Sequence, residues 1–149
     1  MAFVVDASVT LPWFLEDERT RFTDSLLDAI GQVDYWAPSV WSLEVGNALL
    51  VAERRRRIDA AARVDALDQV ARLRITIEPA VPDIRAIAAL AARQGLSTYD
   101  AAYLELALRQ GFGLITLDQA LAKAAHAEGV PLEAPGRSGA AQKRRRYNI

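Results

Sequence analysis

The chain of 149 residues contains no cysteine, and this absence narrows the chemistry available to it. Without thiols there is no disulfide, no thiolate metal site and no cysteine nucleophile. Long apolar runs are absent too, since no stretch approaches the ~20 apolar residues that a membrane span needs. The apolar start from Ala2 to Val5 is cut short by Asp6, so we expect no secretory signal. We therefore expect a cytoplasmic protein that has no membrane segment.

The chain also lacks an excess of positive charge, and its formal net charge is −1. The chain therefore has no global basic field that would attract a polyanion. Positive charge is instead local, at Arg54–Arg57 and Lys143–Arg146, and it is nearly all arginine, which suits bidentate contact with phosphate. The run at Arg54–Arg57 fits an RNA-backbone contact and a solvated helix end equally well, so both interpretations stay open.

Size and pattern predict one α/β domain. An apolar fraction of 52% with 25% charged residues is ordinary for a globular chain, and this length buries roughly 70% of the unfolded surface. Short apolar segments alternate with helical patterns, which predicts a mainly parallel central sheet of four to five strands covered on both faces. We place the domain at residues 1–134. The apolar periodicity stops at Pro135, so residues 135–149 are predicted to form a disordered basic tail.

The periodicity also predicts where the individual elements lie. The predicted strands are Phe3–Val5, Tyr35–Ala37, Arg74–Glu78 and Leu114–Leu117, followed by a short segment at Val130–Leu132. Pro12 is expected to shorten or kink the first helix, and Gly31 is expected at the C′ position of the second. The predicted helices are Ala7–Leu15, Phe22–Ile30, Ser39–Glu53, Ile58–Leu73, Asp83–Gly95, Ser97–Arg109 and Gln119–Glu128.

Two of the predicted strands lead directly into an aspartate, Asp6 after the first and Asp118 after the fourth. In open parallel sheets, ligands bind outside the carboxyl ends of the strands. Two strands that each deliver a carboxylate there predict one acidic site. Taken singly, each aspartate also fits a helix N-cap, which is the simpler structural explanation.

Two further acids extend this prediction. Asp100 lies in the first turn of the helix after Ser97, where a capping-box-like pair and the helix dipole also explain it. Glu44 falls within the apolar stripe of its helix, where a carboxylate is costly unless a cation or hydrogen bonds accompany it. Asn47 and Arg55 on the same face are the structural alternatives as partners. For Glu44 we favour the functional interpretation.

Four carboxylates in one place would raise each other's pKa values by repulsion, and a bound divalent cation reverses that cost. A set of oxygen donors favours Mg²⁺ or Mn²⁺ over zinc. Mg²⁺ usually takes only one or two carboxylates directly, and our hypothesis is that Asp6 and Asp100 are the nearest ligands. Glu44 and Asp118 would then position waters or a second ion. One activated water would attack a phosphodiester.

Four short blocks run in order along the chain: Val5–Ser8, Glu44–Asn47, Ser97–Tyr103 and Leu114–Asp118. Together they resemble the signature blocks of PIN domains, and most of all those of the VapC-type toxins of bacterial and archaeal toxin–antitoxin pairs. The resemblance extends from Phe3 to about Leu132. It implies a three-layer αβα fold and a Mg²⁺- or Mn²⁺-dependent endoribonuclease. It also implies a homodimer that is inhibited by a small antitoxin, whose C-terminal segment enters the active-site groove.

The resemblance also assigns roles residue by residue. The family's acidic quartet is matched by Asp6, Glu44, Asp100 and Asp118. Ser8 and Thr116 match positions whose hydroxyls commonly support the quartet, and Asn47 is a third expected supporting residue. We take these seven residues as the predicted site.

Other candidate sites are weaker. A Ser-His-Asp triad would depend on His126, the only histidine, which lies at a polar helix end. Trp13, Trp36 and Trp41 could stack on bases, but tryptophans in an alanine-rich core more often serve packing. Neither feature predicts a second site.

Two rival functions stay open beside the nuclease. The first is a non-catalytic binding module whose acidic pocket receives an arginine or lysine of a partner protein, and it shares every site residue with the nuclease. The second is a phosphotransfer or receiver-like domain with Asp6 as the acceptor. Against the second, Asp6 has no second aspartate two residues later, and no lysine follows a strand end.

Overall fold

A parallel five-stranded sheet forms the centre of the computed structural model, which describes residues 1–133. The strands are β1 (Ala2–Val5), β2 (Asp34–Ala37), β3 (Ile75–Ile77), β4 (Gly113–Ile115) and β5 (Leu132–Glu133). Their order is β3-β2-β1-β4-β5, and all four pairings are parallel. All carboxyl ends therefore meet at one edge, and β1 lies in the middle of it.

The helices connect the strands on both faces of the sheet. Within residues 1–133 they are α1 (Ala7–Thr10), α2 (Arg21–Asp28), α3 (Val40–Arg54), α4 (Ala60–Arg72), α5 (Ile84–Gln94), α6 (Thr98–Gln110) and α7 (Gln119–Ala127). Two short 3₁₀ helices, at Leu11–Trp13 and Glu16–Glu18, lie between α1 and α2.

Successive side chains of each strand point to opposite faces of the sheet, and this alternation gives two separate hydrophobic clusters. Val4 and Leu114 point to one face, where they join the buried side chains of α3 to α7. Val5 and Ile115 point to the other, where they pack with Val9 of α1 and with residues of α2. Both faces of the sheet are thus covered. The predicted α/β architecture of three layers is confirmed.

Local sequence signals set several helix ends. The Asp83 side chain accepts hydrogen bonds from the backbone N–H groups of Arg85 and Ala86, so it caps α5 as predicted. Gly95, with φ of 66°, ends the same helix in the left-handed region that glycine adopts most readily. The Ser97 hydroxyl caps α6 by accepting the Asp100 N–H.

Some predicted boundaries were wrong. The first helix ends at Thr10 rather than Leu15, because Pro12 enters a 3₁₀ turn directly after it. The fourth strand ends at Ile115 rather than Leu117, because the Leu117 N–H donates to the Ser8 side chain instead of to a neighbouring strand. Gly31 lies two residues beyond the C-cap Ala29, so it is not the C′ residue.

Ser39 occupies the N-cap of α3 but makes no side-chain cap hydrogen bond. The predicted tail at residues 135–149 lies outside the described residues. Among the helices of the described part of the chain, none has the length and apolar character needed to cross a membrane.

Candidate active site

Asp6 follows β1 and is buried, with only 6% of its surface exposed. Two hydroxyls hold its carboxylate. Ser8 Oγ donates to Oδ1 at 2.6 Å, and Thr116 Oγ1 donates to Oδ2 at 2.5 Å. Asp6 occupies the N-cap of α1, and no side-chain cap hydrogen bond of ordinary geometry forms there, although the backbone N–H of Val9 in the first turn interacts with its carboxyl and lowers the pKa.

Ser8 and Thr116 also accept backbone hydrogen bonds from the loop that follows β4. The Leu117 N–H donates to Ser8 Oγ at 2.8 Å, and the Asp118 N–H donates to Thr116 Oγ1 at 2.9 Å. Each hydroxyl therefore both donates and accepts. This network joins the chain after β1 to the chain after β4, and it fixes the orientation of Asp6.

The charge on Asp6 is costly in this environment. Its pKa is raised to about 6, first by burial and to a smaller extent by the negative charge of Asp118, while hydrogen bonds from Ser8, Thr116 and the Val9 backbone oppose the rise. The hydroxyls therefore offset only part of the cost of burial. A nearby cation would favour the charged form, so the environment of Asp6 fits a metal ligand.

Asp118 has two roles. Its Oδ1 accepts the Leu121 N–H at 2.9 Å and caps α7, so the helix-capping explanation holds for this residue. Its charge also acts on Asp6 and on Asp100. The hydrogen bond of the cap uses one carboxylate oxygen and leaves the other available to the site.

Glu44 is half-buried on α3, and its partner is a residue for which the sequence pattern predicts no role. The hydroxyl of Tyr103, on α6, donates to Glu44 Oε1 at 2.6 Å. The predicted alternative partners do not fulfil that role, since Asn47 is exposed and Arg55 is exposed at the helix end. Glu44 itself lies beside the buried stripe of Trp41, Val45, Leu49 and Ala52 rather than within it.

Burial raises the pKa of Glu44, the Tyr103 hydrogen bond lowers it, and the charge of Asp100 raises it. The pKa of Tyr103 is raised above its ordinary range, first by burial and then by the hydrogen bond to Glu44. The charges of Glu44, Asp6 and Asp100 add to that rise. The tyrosine hydroxyl therefore lies among the acids.

Asp100 lies in the first turn of α6 and is partly exposed. Its backbone N–H donates to Ser97 Oγ at 3.1 Å, which is half of the predicted capping pair. Burial raises the pKa of its carboxyl, and the charge of Asp118 raises it further. The carboxylate of Asp100 thus contributes negative charge to the site.

The four-acid group, defined as Asp6, Glu44, Asp100 and Asp118, is linked by charge interactions. Asp6 interacts with Asp118, Asp118 with Asp100, and Asp100 with Glu44. Each acid is placed by a different part of the chain, near the carboxyl edge of the sheet. The fold therefore brings together acids that are widely separated in the sequence.

The PIN domain model matches residues 3–127. The chain belongs to the PIN domain family. PIN domains are generally nucleases, so the family accounts for an acidic site at this edge of the sheet. No significant match is found among curated protein sequences.

Solved structures resemble this PIN domain over most of its length. PAE2754 from Pyrobaculum aerophilum has a TM-score of 0.69 at 24% identity, covering 89% of each chain. VapBC-1 from nontypeable Haemophilus influenzae has a TM-score of 0.62 at 11% identity, covering 90% of this chain and 98% of the other. FitAcB from Neisseria gonorrhoeae has a TM-score of 0.62 at 14% identity, with 91% and 99% covered. At these identities the likeness establishes the fold.

Mg²⁺ and Mn²⁺ prefer oxygen ligands, and the four-acid group supplies carboxylate oxygens. Within residues 1–133, no three of the Asp, Glu and His side chains are arranged so that they could hold one ion together. Mg²⁺ usually binds one or two carboxylates and keeps several waters. The PIN domain site fits a cation held in that way, with the remaining acids acting through water.

Three of the other candidate residues, Trp13, Trp41 and Arg57, make structural contacts in this PIN domain. Trp13 and Trp41 are buried, and their indole N–H groups donate to the Thr23 carbonyl and to Thr10 Oγ1. Arg57 forms ion pairs with Asp17 and Glu18, and His126 is exposed at the end of α7. The packing interpretation of the two buried tryptophans is therefore confirmed.

Proposed function

We propose that this PIN domain is a divalent-metal-dependent endoribonuclease and the toxin of a toxin–antitoxin pair. The observation that carries the proposal is the buried carboxylate of Asp6, which Ser8 and Thr116 hold at the carboxyl end of β1 within the electrostatic reach of Asp118. Acids that share one site repel each other, and a bound cation offsets that repulsion. Oxygen ligands of this kind suit Mg²⁺, with Mn²⁺ as a substitute.

In this proposal, Asp6 and Asp100 hold the cation, while Glu44 and Asp118 orient water or a second ion. Asp6 suits its role because two hydroxyls fix its oxygens, and each oxygen keeps a lone pair for another ligand. Asp118 uses Oδ1 for the helix cap, which leaves Oδ2 for water. When bound, the cation supplies positive charge that stabilises the oxyanions of phosphodiester hydrolysis and assists deprotonation of water.

The supporting residues act through Asp6 and Asp118. Ser8 and Thr116 orient the Asp6 carboxylate, and Thr116 also fixes the start of the turn that carries Asp118. Asn47 is exposed on α3, one turn from Glu44, and stays a predicted supporting residue on the surface beside the site. The two hydroxyls hold the acids in place without binding the substrate themselves.

RNA as the substrate and an antitoxin as the partner are supported by the resemblance of the four sequence blocks to VapC-type toxins. The structural likeness to VapBC-1 and FitAcB also supports an antitoxin partner. We further expect a homodimer in the cytoplasm. The oligomeric state is checked by light scattering of the purified chain alone and with the antitoxin.

The direct test incubates the purified chain with cellular RNA in Mg²⁺, in Mn²⁺ and in a chelator. We expect cleavage with either ion, none with the chelator, and none from Asp6→Asn. The matched control is Asp65→Asn, because Asp65 is an exposed acid of α4 outside the four-acid group. That variant should cut RNA as the unmodified chain does.

Two outcomes would reject the proposal. Cleavage that is insensitive to the chelator and to Asp6→Asn would exclude the metal mechanism. A chain that cuts no RNA, but binds an arginine-containing peptide less tightly once Mg²⁺ is added, would be the non-catalytic acidic-pocket module instead.

A further inference from the structure

Tyr103 connects two helices that carry separate acids of the site. Its ring lies in the hydrophobic core with 1% of the residue exposed, and its hydroxyl donates to Glu44 Oε1 at 2.6 Å. We propose that Tyr103 is a positioning residue, which holds Glu44 in the orientation that a divalent cation at this site requires. The inference rests on the proposed function, since it concerns the same site.

A purely structural role does not explain the hydroxyl. The aromatic ring packs with the large cluster of α3 to α7, and a phenylalanine ring would fill the same space. Only the hydroxyl reaches the site. A buried hydroxyl requires a hydrogen-bond partner, and within residues 1–133 that partner is Glu44.

The hydrogen bond restricts a side chain that is otherwise free to rotate. Glu44 is half-buried and has three rotatable side-chain bonds, and no other hydrogen bond holds its carboxylate in the described chain. An O–H group bound to a carboxylate at this distance is a strong, charge-assisted bond. It fixes Oε1 and leaves Oε2 for a water or a cation.

The bond also acts against the repulsion between acids. The charge of Asp100 disfavours an ionised Glu44, while the tyrosine hydroxyl favours it. Asp100 and Tyr103 are three residues apart on α6, so one helix carries both the repelling acid and the compensating donor. Removing the hydroxyl should leave Glu44 free to turn away from Asp100 and from a bound cation.

The experiment compares Tyr103→Phe with Tyr35→Phe. Tyr35 is also buried, with 2% exposed, but its hydroxyl donates to the Leu26 carbonyl at 2.9 Å in the other cluster. Both variants remove one buried hydroxyl, so a general loss of stability should appear in both. Only Tyr103→Phe removes a hydrogen bond from the four-acid group.

The first measurement is the dissociation constant for Mn²⁺, obtained by calorimetry in the absence of RNA. We expect Tyr103→Phe to weaken Mn²⁺ binding about tenfold, the scale of one hydrogen bond to a charged group, and Tyr35→Phe to leave it unchanged. The second is RNA cleavage at saturating Mn²⁺, where Tyr103→Phe should lower kcat and leave KM close to its original value.

A double variant tests whether Tyr103 acts through Glu44. Glu44→Gln alone should weaken Mn²⁺ binding, and adding Tyr103→Phe to it should change little more, because the oriented carboxylate is already gone. Additive losses would overturn the proposal, and so would equal behaviour of Tyr103→Phe and Tyr35→Phe.

The two proposals fail in different ways. If the chain binds Mn²⁺ but cuts no RNA, the proposed nuclease function fails, and the Mn²⁺ affinities still decide the role of Tyr103. If the chain cuts RNA and Tyr103→Phe binds Mn²⁺ like the unmodified chain, the positioning role fails and the nuclease function stands.

Discussion

Thr116 Oγ1 lies 2.5 Å from Asp6 Oδ2 and joins two adjacent strand ends whose residues are far apart in the sequence. The same oxygen accepts the Asp118 N–H at 2.9 Å. One hydroxyl therefore orients the first acid of the site and fixes the turn that carries the last. Replacing a group that orients a metal ligand typically lowers metal affinity or activity about 10–100-fold.

Replacing Thr116 by valine keeps the shape of the side chain and removes both hydrogen bonds. We expect RNA cleavage to fall about tenfold to a hundredfold, because the Asp6 carboxylate loses one of its two fixing donors. Thr116→Ser retains the hydroxyl and should retain most of the activity. Full activity of the valine variant at limiting Mg²⁺ would show that the hydroxyl does not orient the site.

The raised pKa of Asp6 predicts how stability without metal depends on pH. Between the unfolded value of 3.8 and the folded value of about 6, the folded chain binds more protons, so its stability falls as the pH rises through this window. Once the pH exceeds the folded pKa, the Asp6 carboxyl lowers the free energy of unfolding by about 3 kcal/mol. Asp6→Asn has no such charge and should not show this loss.

We therefore expect the free energy of unfolding of Asp6→Asn, minus that of the unmodified chain, to increase between pH values of about 4 and about 7. Urea unfolding of both proteins in a chelator measures the difference, and the titrating groups that do not interact with Asp6 cancel in it. A difference that stays flat over this range would mean that the Asp6 carboxyl is not destabilised by burial.

Added Mg²⁺ or Mn²⁺ should raise the melting temperature more at neutral pH than at about pH 5, because protons compete with the cation for Asp6. Glu44→Gln should reduce the shift, and Asp65→Asn should leave it unchanged. Thermal unfolding with and without the ion measures both effects. Equal shifts at the two pH values would show that cation binding does not depend on whether Asp6 is protonated.

Two glycines offer a paired test of the packing. A Cβ at Gly113 would lie 2.6 Å from ring carbons of Phe3 on the neighbouring strand, so we expect Gly113→Ala to destabilise the fold by about 1–3 kcal/mol. Gly46 lies inside α3, where a Cβ would meet no heavy atom within 4 Å beyond the backbone of its own helix, and Gly46→Ala should stabilise the helix by about 1 kcal/mol. Denaturant unfolding of both variants measures the free energy of unfolding, which should fall for Gly113→Ala and rise for Gly46→Ala.

Much of the architecture was predictable from the sequence, because it depends on local patterns. Apolar runs identified four of the five strands, and Asp83 and Gly95 marked the ends of α5. The strand ends were less predictable: β4 stops at Ile115, because a side-chain contact from Ser8, more than a hundred residues away, draws the Leu117 N–H out of the sheet.

The four acids were predicted as a group, and their role as one site stays a prediction, although their charges act on one another in pairs. The hydrogen-bond partners of the individual acids were harder to predict from the sequence, because these partners depend on how the helices pack. Tyr103 ends the sequence block that begins at Ser97 without an assigned role, and only the packing of α3 against α6 makes its hydroxyl a partner for Glu44. The sequence also did not reveal that Asp118 both caps a helix and carries charge that acts on Asp6, while the Asp6 carboxylate is held by the hydroxyls of Ser8 and Thr116.

The pairing of β1 with β4 has a consequence during synthesis. β1 can pair with β2 early, but Phe3 also pairs with Gly113, so the central strand lacks this second neighbour until Gly113 has left the ribosome. A nascent chain that ends before this point has no Thr116 or Asp118, and its Asp6 stays without the donor that fixes Oδ2. A translation product that stops before Asp118 therefore cannot assemble the four acids, and the timing of translation itself delays the appearance of any activity until that residue has emerged.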